Sequence, residues 1–382
     1  MEHVVSLVRQ PNYDIVYLED AIRRAVELAG FDLPSVLYRK VLLKPNMLGA
    51  YPVEKIVTTH PEFVAAAGRV FKKAGAKVWV GDSPNGVHGI DEVWKVTGIG
   101  AVCDREGFVR RPFEEGGSRP RRGYMISSVP QEADLIVNLP KFKTHSLTLM
   151  TLAAKNMFGC VSGIQKTKYH RDYPSPEAFS RQCVRIAEAI KPELSIVDGI
   201  VAMEGNGPSN GTPVNLGAIV AGHNMHAVDW ICCRMVGLDP TQVYTVRAAI
   251  DLGAWTDTPD ISTRGDREDD FDAAGFVLPV TFRTGAINWW LSRKVTSFIW
   301  GHMTAQPRIS HRRCRMCGMC VGSCPVKAIS WDREDEPPAL DEERCIQCFC
   351  CHEVCPHGAV DIRRSLPLRI AQWLGRHREP RR

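Results

Sequence analysis

The last third of the chain contains two groups of cysteine residues whose spacing suits the binding of inorganic iron and sulfur. Nine of the 14 cysteines lie within residues 314–355, and eight of them form one pattern that occurs twice. The pattern is C-x2-C-x2-C-x3-C followed by proline, and its two copies are Cys314, Cys317, Cys320 and Cys324, then Cys345, Cys348, Cys351 and Cys355. This spacing is typical of a pair of [4Fe–4S] clusters.

The spacing also predicts which thiolates bind which cluster. In such repeats three closely spaced cysteines hold one cluster, and the cysteine before the proline reaches the other cluster. We therefore assign cluster 1 to Cys314, Cys317, Cys320 and Cys355. Cluster 2 is assigned to Cys345, Cys348, Cys351 and Cys324. The whole segment resembles the pseudosymmetric two-cluster ferredoxin module.

Zinc sites and disulfide bonds are the alternative uses of so many cysteines. Zinc motifs usually place two C-x2-C pairs far apart, without a third cysteine and a C-P step. Disulfide frameworks are typical of short secreted chains, whereas this chain has 382 residues and its start lacks a signal-peptide pattern. Cys350 is the ninth thiol and has no place in either ligand set, so we expect a small buried side chain there.

The composition is that of an ordinary globular protein with two or more domains. Of its residues, 44% are hydrophobic and 24% are charged. No apolar run reaches the roughly 18 residues that a membrane span needs, so we expect a cytoplasmic protein.

The net charge of +5 is concentrated in the tail, residues 363–382, which contain seven arginines and one acidic residue. The tail predicts either a frayed, solvated terminus or a contact with a membrane surface or an acidic partner. Nucleic-acid binding is not expected, because an arginine-rich tail alone meets any acidic surface.

The first 240 residues alternate between strand-like and helix-like segments, which predicts an α/β fold with a mostly parallel sheet flanked by helices. Strands are predicted at 4–8, 41–43, 77–80, 135–139 and 194–197, and helices at 19–29, 62–74 and 177–190. The predicted domains are an α/β domain at 1–255, a linker and packing segment at 256–305, a small α+β ferredoxin-type domain at 306–362 and the basic tail at 363–382.

Two elements are predicted within the linker. Residues 276–280 are apolar and predict a further strand. The aromatic segment from Trp289 to Trp300 predicts an amphipathic helix that packs the two domains together. Peripheral contact with a membrane surface is the alternative for this segment.

Polar and charged residues follow four of the predicted strands, at the sheet edge where open α/β folds bind their ligands. Several lysines in one crevice need a negative charge to offset them, so we predict an anionic substrate or cofactor. Its candidate ligands are Lys44, Asn46, Lys141, Asn156 and Asn206. The candidate catalytic residues, for proton transfer and orientation, are Lys143, His145, Lys155, Asp82 and Glu204. Each also has a structural explanation, such as a solvated lysine or a helix cap at Asp82.

In combination, these motifs resemble the family named domain of unknown function 362. The segments that carry the resemblance are 44–46, 81–84, 138–145, 152–159, 203–208 and 227–229, within about residues 38–250. Members of that family often carry a C-terminal ferredoxin module, as residues 345–353 indicate here. The resemblance implies an iron–sulfur protein with an α/β domain and brings no established substrate.

The first functional hypothesis is a redox protein that passes electrons through both clusters to an anionic molecule in the α/β crevice. This makes the chain a candidate oxidoreductase, although the sequence leaves open whether it is an enzyme. The alternative is an electron carrier whose α/β domain docks a separate partner enzyme, with the tail and residues 289–300 as contacts. A redox partner protein is expected under either hypothesis. A third hypothesis gives the clusters a structural or sensory role.

Overall fold

The computed structural model describes residues 2–271, 273, 275–281, 305–333 and 335–364. The aromatic segment 289–300 and the tail beyond Arg364 lie outside these residues, so the predictions made for them stay predictions. Within the described part of the chain, no helix has both the length and the apolar character needed to cross a lipid bilayer.

The elements follow one another along the chain with short connections. The strands are β1 His3–Arg9, β2 Lys40–Pro45, β3 Lys77–Val80, β4 Val109–Arg110, β5 Ser118–Arg121, β6 Tyr124–Ser127, β7 Leu135–Leu139, β8 Lys141–His145, β9 Leu149–Thr151, β10 Leu194–Glu204, β11 Thr212–Gly222, β12 Ile261–Gly265, β13 Ala305–Ile309, β14 Ile329–Ser330, β15 Ala339–Leu340 and β16 Val360–Arg364. The helices are α1 Ile15–Leu28, α2 Pro61–Lys73, α3 Ile90–Val96, α4 Ile99–Glu106, α5 Ser128–Glu132, α6 Ala153–Asn156, α7 Ile164–Asp172, α8 Pro176–Ile190, α9 Met225–Met235, α10 Tyr244–Asp251, α11 Met319–Ser323 and α12 Cys350–Val354.

Most of the strands of the first 265 residues join in one mixed sheet. Its order is β12-β1-β11-β10-β7-β2-β3-β4, and β8 and β9 extend it beside β10. The central neighbours β10, β7, β2 and β3 run parallel, whereas β11 is antiparallel to both β1 and β10. The predicted mostly parallel sheet is therefore confirmed. Because the parallel strands end at one edge, the polar residues that follow them are brought together.

Helices cover both faces of this sheet because successive strand residues point to opposite sides. Leu42 of β2 shares a buried cluster with Phe179 of α8. The next residue, Leu43, shares the other cluster with Phe63 of α2. Near-continuous apolar strands such as β7 are the expected result of burial on both faces.

The cysteine-rich part of the chain forms a small second unit, which we call the cluster module (described residues 305–333 and 335–364). Strand β13 pairs with β16, and β14 pairs with β15, both antiparallel. Helix α11 carries Cys320 and α12 carries Cys351. These cysteines pack with Ile329 and Val360 in a small core of the module. A small α+β domain at the C-terminal end is thus confirmed.

The linker differs from its prediction in two places. Residues 261–265 form β12, which pairs in parallel with β1 at the edge of the main sheet. The strand predicted at 276–280 is wrong, because this segment is irregular. The backbone N–H groups of Val277 and Val280 donate to the side chains of Glu204 and Asn206, and these bonds fix the segment beside the loop after β10.

We predict that Gly68→Ala destabilises the α/β domain. A Cβ atom at Gly68, in buried helix α2, would lie 2.2 Å from the ring of Phe108. The overlap should outweigh the gain in helix propensity and cost about 1–3 kcal/mol of unfolding free energy, as measured by urea denaturation. Gly89→Ala is the control, because nothing lies within 4 Å of that Cβ position. Equal effects of the two substitutions would contradict the packing described here.

Candidate functional site

A cleft of about 210 Å³ lies between the ligand edge of the α/β sheet and the cluster module. The α/β side of the cleft consists of residues after β2 and β3 together with parts of α6 and α7. The opposite side consists of Gly322 and Ser323 of α11 and of Cys350 and Glu353 of α12. The cleft is therefore built by both units at once.

Hydrogen bonds hold helix α12 against the α/β domain. The hydroxyl of Tyr51 donates to the carbonyl of Glu353 at 2.5 Å, and Asn210 donates to the carbonyl of His352 at 2.7 Å. The ring of His352 lies with Nε2 3.0 Å from the carbonyl oxygen of Asn206. Asn206 and Glu204, which were predicted to bind or act on a ligand, thus lie outside the cleft lining and support the segments around it.

Five of the predicted site residues do line the cleft: Lys44, Asn46, Asp82, Lys155 and Asn156. The ammonium of Lys44 lies 2.8 Å from Oδ1 of Asp82, and both side chains are buried. The other carboxylate oxygen of Asp82 accepts the backbone N–H of Met47 at 2.7 Å. Asp82 therefore neutralises Lys44 and fixes the loop after β2.

Lys143 lies behind these lining residues and is fully buried. Its ammonium donates to Oδ1 of Asn46 at 2.9 Å and to the carbonyl of Val57 at 2.6 Å. Asn46 in turn donates to Asn156 at 2.9 Å, and Asn156 donates to Asn138 at 2.8 Å. Burial, followed by the charge of Lys155, lowers the pKa of Lys143 well below its ordinary value. Lys143 thus orients the amides that face the cleft and does not face it itself.

Lys141 also belongs to a buried network away from the cleft. Its ammonium donates to Asp198 at 2.8 Å and to the hydroxyl of Tyr13 at 2.8 Å. Asp198 accepts a further bond from Tyr13 at 2.8 Å and one from the backbone of His60 at 2.9 Å. Burial lowers the pKa of Lys141, and Asp198 opposes that shift. The network connects Tyr13 and His60, next to α1 and α2, to Lys141 of β8. None of its residues belongs to the described lining of the cleft.

His145 faces Glu353 of the cluster module. The ring atom Nδ1 accepts the backbone N–H groups of Leu147 and Thr148, at 3.0 and 3.3 Å. Burial, together with the charge of Lys155, lowers the pKa of His145 to about 3. The neutral ring therefore carries its proton on Nε2, which lies 3.1 Å from Oε1 of Glu353. Burial opposes the ionisation of Glu353, but His145 and Lys155 outweigh it and lower the pKa of this carboxyl group.

Helix α6 places Lys155 and Asn156 in the cleft because its first turn is capped from another helix. Asp229 of α9 accepts the backbone N–H groups of Ala153 and Ala154, at 2.6 and 3.1 Å. Burial raises the pKa of Asp229 to about 6, and the two bonds act in the opposite direction. The segment 227–229, which contributed to the family resemblance, is thus a structural support for the cleft.

Further cleft residues were not among those predicted from the sequence: Ser83, Asn85, Thr151, Lys166, His170, Cys350 and Glu353. Lys166 and His170 are four residues apart on α7, a spacing that places them on one face of a helix. That spacing was a usable signal for α7. Nothing in the sequence indicates that Glu353 contacts the α/β domain, because it lies among the cysteines of the cluster module.

Unsatisfied polar atoms are concentrated in the cleft. Nine buried side-chain atoms of the described residues have no aligned hydrogen-bond partner, and five of these belong to cleft residues. The five are Asp82 Oδ1, Asn85 Nδ2, Thr151 Oγ1, His170 Nδ1 and Glu353 Oε1. Because buried polar atoms are nearly always paired, this concentration indicates groups that a ligand or water satisfies.

Two cations of the cleft, Lys155 and Lys166, form no ion pair with an acidic residue among those described, although Lys155 and Glu353 attract each other at longer range. Lys44 is paired with Asp82. Lys166 donates to the backbone carbonyls of Ser83 and Pro84, and burial lowers its pKa to about 8. Lys155 makes a cation–π contact with Phe179, at 5.8 Å from the ring centroid, and its ammonium forms no described ion pair.

The cysteines of the module surround two small hollows in the two sets expected from their spacing. One hollow is lined by Cys314, Cys317, Cys320 and Cys355. The other is lined by Cys324, Cys345, Cys348 and Cys351, together with Cys350. Within the described ranges, no three His, Cys, Asp or Glu side chains are close enough to share a single metal ion.

The two cysteine loops repeat the same backbone conformation with an offset of 31 residues. Positive φ angles recur in pairs at Met316 and Gln347, Gly318 and Phe349, and Lys327 and Gly358. Backbone N–H groups also donate to sulfur in a matched pair: Ala328 to Cys324 at 3.1 Å and Ala359 to Cys355 at 3.2 Å. Left-handed residues curl each loop around its hollow, and N–H···S bonds are a known means of stabilising cluster thiolates.

Comparisons with known proteins agree with this two-part structure. Residues 41–234 match the model of a domain of unknown function (DUF362), and residues 313–359 match the model of a 4Fe-4S dicluster domain. The chain is 34% identical over 262 residues to the thylakoid-associated protein sll1697 of Synechocystis sp., covering 65% of this chain and 79% of that relative.

One solved structure with some likeness is the lactate racemase apoprotein of Thermoanaerobacterium thermosaccharolyticum. The match has 17% identity and a TM-score of 0.40, and it covers 62% of this chain and 57% of that chain. A likeness at this level carries no argument about the site. The family matches, in contrast, cover the segments that contain both the cleft and the cysteine runs. The chain therefore belongs to the DUF362 family and carries a C-terminal 4Fe-4S dicluster domain, an iron–sulfur module for electron transfer.

Proposed function

We propose that this chain is a redox protein in which two [4Fe–4S] clusters pass electrons to an anionic substrate or cofactor held in the cleft. The observation that carries the proposal is the position of the cleft, which has the ligand edge of the α/β sheet on one side and α11 and α12 of the cluster module on the other. When bound, each cluster takes up and releases one electron at a time.

The cysteine sets fit two such clusters. The first hollow is lined by four thiols, three from one loop and one from the other, and the second by the four of its set together with Cys350. Cluster 1 would be held by Cys314, Cys317, Cys320 and Cys355, and cluster 2 by Cys345, Cys348, Cys351 and Cys324. Cys350 lies between two of the second set in the sequence and lines the cleft as well, which supports cluster 2 as the one beside the cleft.

Lys155 is the residue proposed to bind the negative charge of the ligand. Its ammonium forms no ion pair with a described residue, unlike that of Lys44, and it lies in a partly buried site where an ion pair is less screened than at the surface. Asn156 donates both of its amide hydrogens within the protein. Asn46, oriented by Lys143, donates one amide hydrogen to Asn156 and keeps the other for the same end of the ligand.

Three buried polar atoms of the cleft lining add a second requirement. Asn85 Nδ2, Thr151 Oγ1 and His170 Nδ1 have no hydrogen-bond partner among the described residues. A purely anionic ligand leaves part of this set unsatisfied, which is costly in a buried site. We therefore propose a small ligand that carries a hydroxyl or N–H group in addition to its negative charge.

Lys166 is the proposed proton donor for a reduction in the cleft. Its pKa of about 8 is close to neutrality because burial disfavours the charged form. An amine of this kind is protonated at pH 7 and still gives up its proton readily. His145 was the first candidate for this role, but its proton faces Glu353, so we assign it to orienting that carboxylate.

The carrier hypothesis remains the alternative. Its expected contacts are residues 289–300 and the tail, and apart from Arg363 and Arg364 at the end of β16 they lie outside the described residues, so no described contact favours it over the cleft proposal. The two hypotheses differ in whether the cleft binds a ligand. Iron-loaded protein that binds an anion in the cleft supports the first hypothesis, and iron-loaded protein that binds none favours the carrier.

Protein purified without oxygen should contain about eight iron atoms per chain, four for each cluster. Cys348→Ala should lower this to about four and change the electron paramagnetic resonance spectrum of the reduced protein. Cys183→Ala, in α8 and outside both ligand sets, should leave the iron content unchanged. Colourless protein that contains zinc in place of iron would contradict the proposal.

Lys155→Gln should weaken anion binding at least tenfold. The measurement is thermal stabilisation by inorganic phosphate, oxalate and a set of small hydroxy acids, titrated into the iron-loaded protein. Lys168→Gln is the matched control, because Lys168 is an exposed residue of α7 outside the cleft lining. Wild-type protein that responds to none of these anions, or equal responses of the two variants, would argue against an anion site.

Gly159→Ala should distort the cleft by steric overlap with its lining residues. A Cβ atom there would lie 2.3 Å from Oδ1 of Asp82 and 2.7 Å from the ammonium of Lys44. We expect a loss of about 1–3 kcal/mol in unfolding free energy and weaker anion binding in the same titration. Gly322→Ala, on the opposite side of the cleft with nothing within 4 Å of its Cβ position, is the control. If Gly159→Ala left both the unfolding free energy and anion binding unchanged, the Lys44–Asp82 pair would not form as described.

A further inference from the structure

The two cysteine sets differ in how far they reach the protein surface. All 14 cysteines belong to the described residues, and Cys317 of the first set is the exposed one among them. Each set has two buried cysteines, but Cys348, which corresponds to Cys317, is buried, and the neighbouring residue Cys350 lines the cleft. The first set therefore offers an edge to other proteins, whereas the second set is directed toward the α/β domain.

The charges around the two sets also differ, although their loops share one conformation. With the offset of 31 residues, His311 and Arg312 correspond to Glu342 and Glu343, and all four side chains are exposed. Arg315 corresponds to Ile346. Because the acidic version adopts the same backbone, the loop conformation does not require the basic residues near Cys317.

Two arginines close in sequence to the exposed Cys317 are available to a partner protein. Arg313 forms an ion pair with Asp361 at 2.5 Å. Arg312 and Arg315 are exposed and form no ion pair with any described residue. Met316 directly follows Arg315 in the sequence and is 38% exposed. An apolar side chain beside arginines is the composition that protein interfaces favour.

We propose that Arg312, Arg315, Met316 and Cys317 form a docking surface, the arginine edge, for an acidic electron-carrier protein. The positive arginines steer a negatively charged partner toward the exposed Cys317 side of the first cysteine set. In each encounter the reduced carrier loses one electron and the module gains one, and no atom is transferred. The inference adds an entry point to the proposed function and depends on the clusters but not on the cleft ligand.

A folded acidic protein fits this edge better than the other polyanions. Two free arginines beside an exposed methionine form a small mixed patch, whereas nucleic-acid sites need a longer basic surface that follows many phosphates. Acidic residues also lie on the neighbouring loop, at Asp341, Glu342 and Glu343. These carboxylates repel an extended polyanion or an anionic membrane and leave room for a compact partner.

The test uses full-length, iron-loaded protein with two acidic probes, a plant-type [2Fe–2S] ferredoxin and a flavodoxin. Arg312→Glu combined with Arg315→Glu should weaken binding of both probes at least tenfold, as measured by calorimetry at low salt. Wild-type binding should weaken as salt is raised from 50 to 200 mM, as for any exposed charge contact. The same double variant should gain affinity for the basic carrier cytochrome c.

The matched control is Arg185→Glu combined with Arg264→Glu, which makes the same change in net charge at exposed positions of the α/β domain. It should bind the acidic probes like the wild type. Iron content and the electron paramagnetic resonance spectrum should stay unchanged in both double variants. Absence of wild-type binding to both acidic probes, or an equal loss in the control, overturns the proposal. Lys155→Gln should leave carrier binding unchanged, so failure of the cleft proposal is recognised separately.

Discussion

Helix α12 is the element on which both halves of the molecule depend. Within five residues it contributes Cys351 to a cysteine set and Glu353 to the cleft. Its carbonyl groups accept hydrogen bonds from Tyr51 and Asn210 of the α/β domain. A displacement of this short helix would therefore disturb the cluster ligands, the cleft and the contact between the two units together.

Buried charge is the second constraint at this sheet edge. Lys44, Lys141 and Lys143 are among the most completely buried side chains of the described chain. Asp82 and Asp198 partner the first two, whereas Lys143 is surrounded by neutral oxygen atoms. Burying a cation without such partners costs several kcal/mol. The lysines are thus used mostly to fix the loops after the strands, whereas Lys155 and Lys166 line the cleft without an ion pair to a described acidic residue.

Sequence reasoning succeeded where the signal is local. The strands at 77–80 and 135–139 were predicted with their observed bounds, because a short apolar run between polar residues specifies a buried strand. The grouping of the cysteines around the two hollows also agrees with their spacing, since three of the four in each set come from one loop.

The site could be predicted only in part, because it depends on contacts between distant segments. The sequence places Lys141, Lys143 and His145 after one predicted strand but does not reveal that Asp198, Asn46 and Glu353 occupy their polar groups. The spacing of Lys166 and His170 indicates only a shared helix face, and Glu353 faces the cleft through the packing of α12, which no local pattern encodes. For the same reason residues 276–280 resemble a strand, although side chains of the loop after β10 bind their backbone.

The closeness of Glu353 to Cys351 and Cys355 has a thermodynamic consequence for any molecule that binds there. One rigid helical turn connects the carboxylate that faces the cleft to two of the sulfur atoms. By linkage, any ligand that binds the reduced and oxidised proteins unequally shifts the reduction midpoint by the same free energy. Occupancy of the cleft would then be measurable as a change in reduction potential, even when no product is formed.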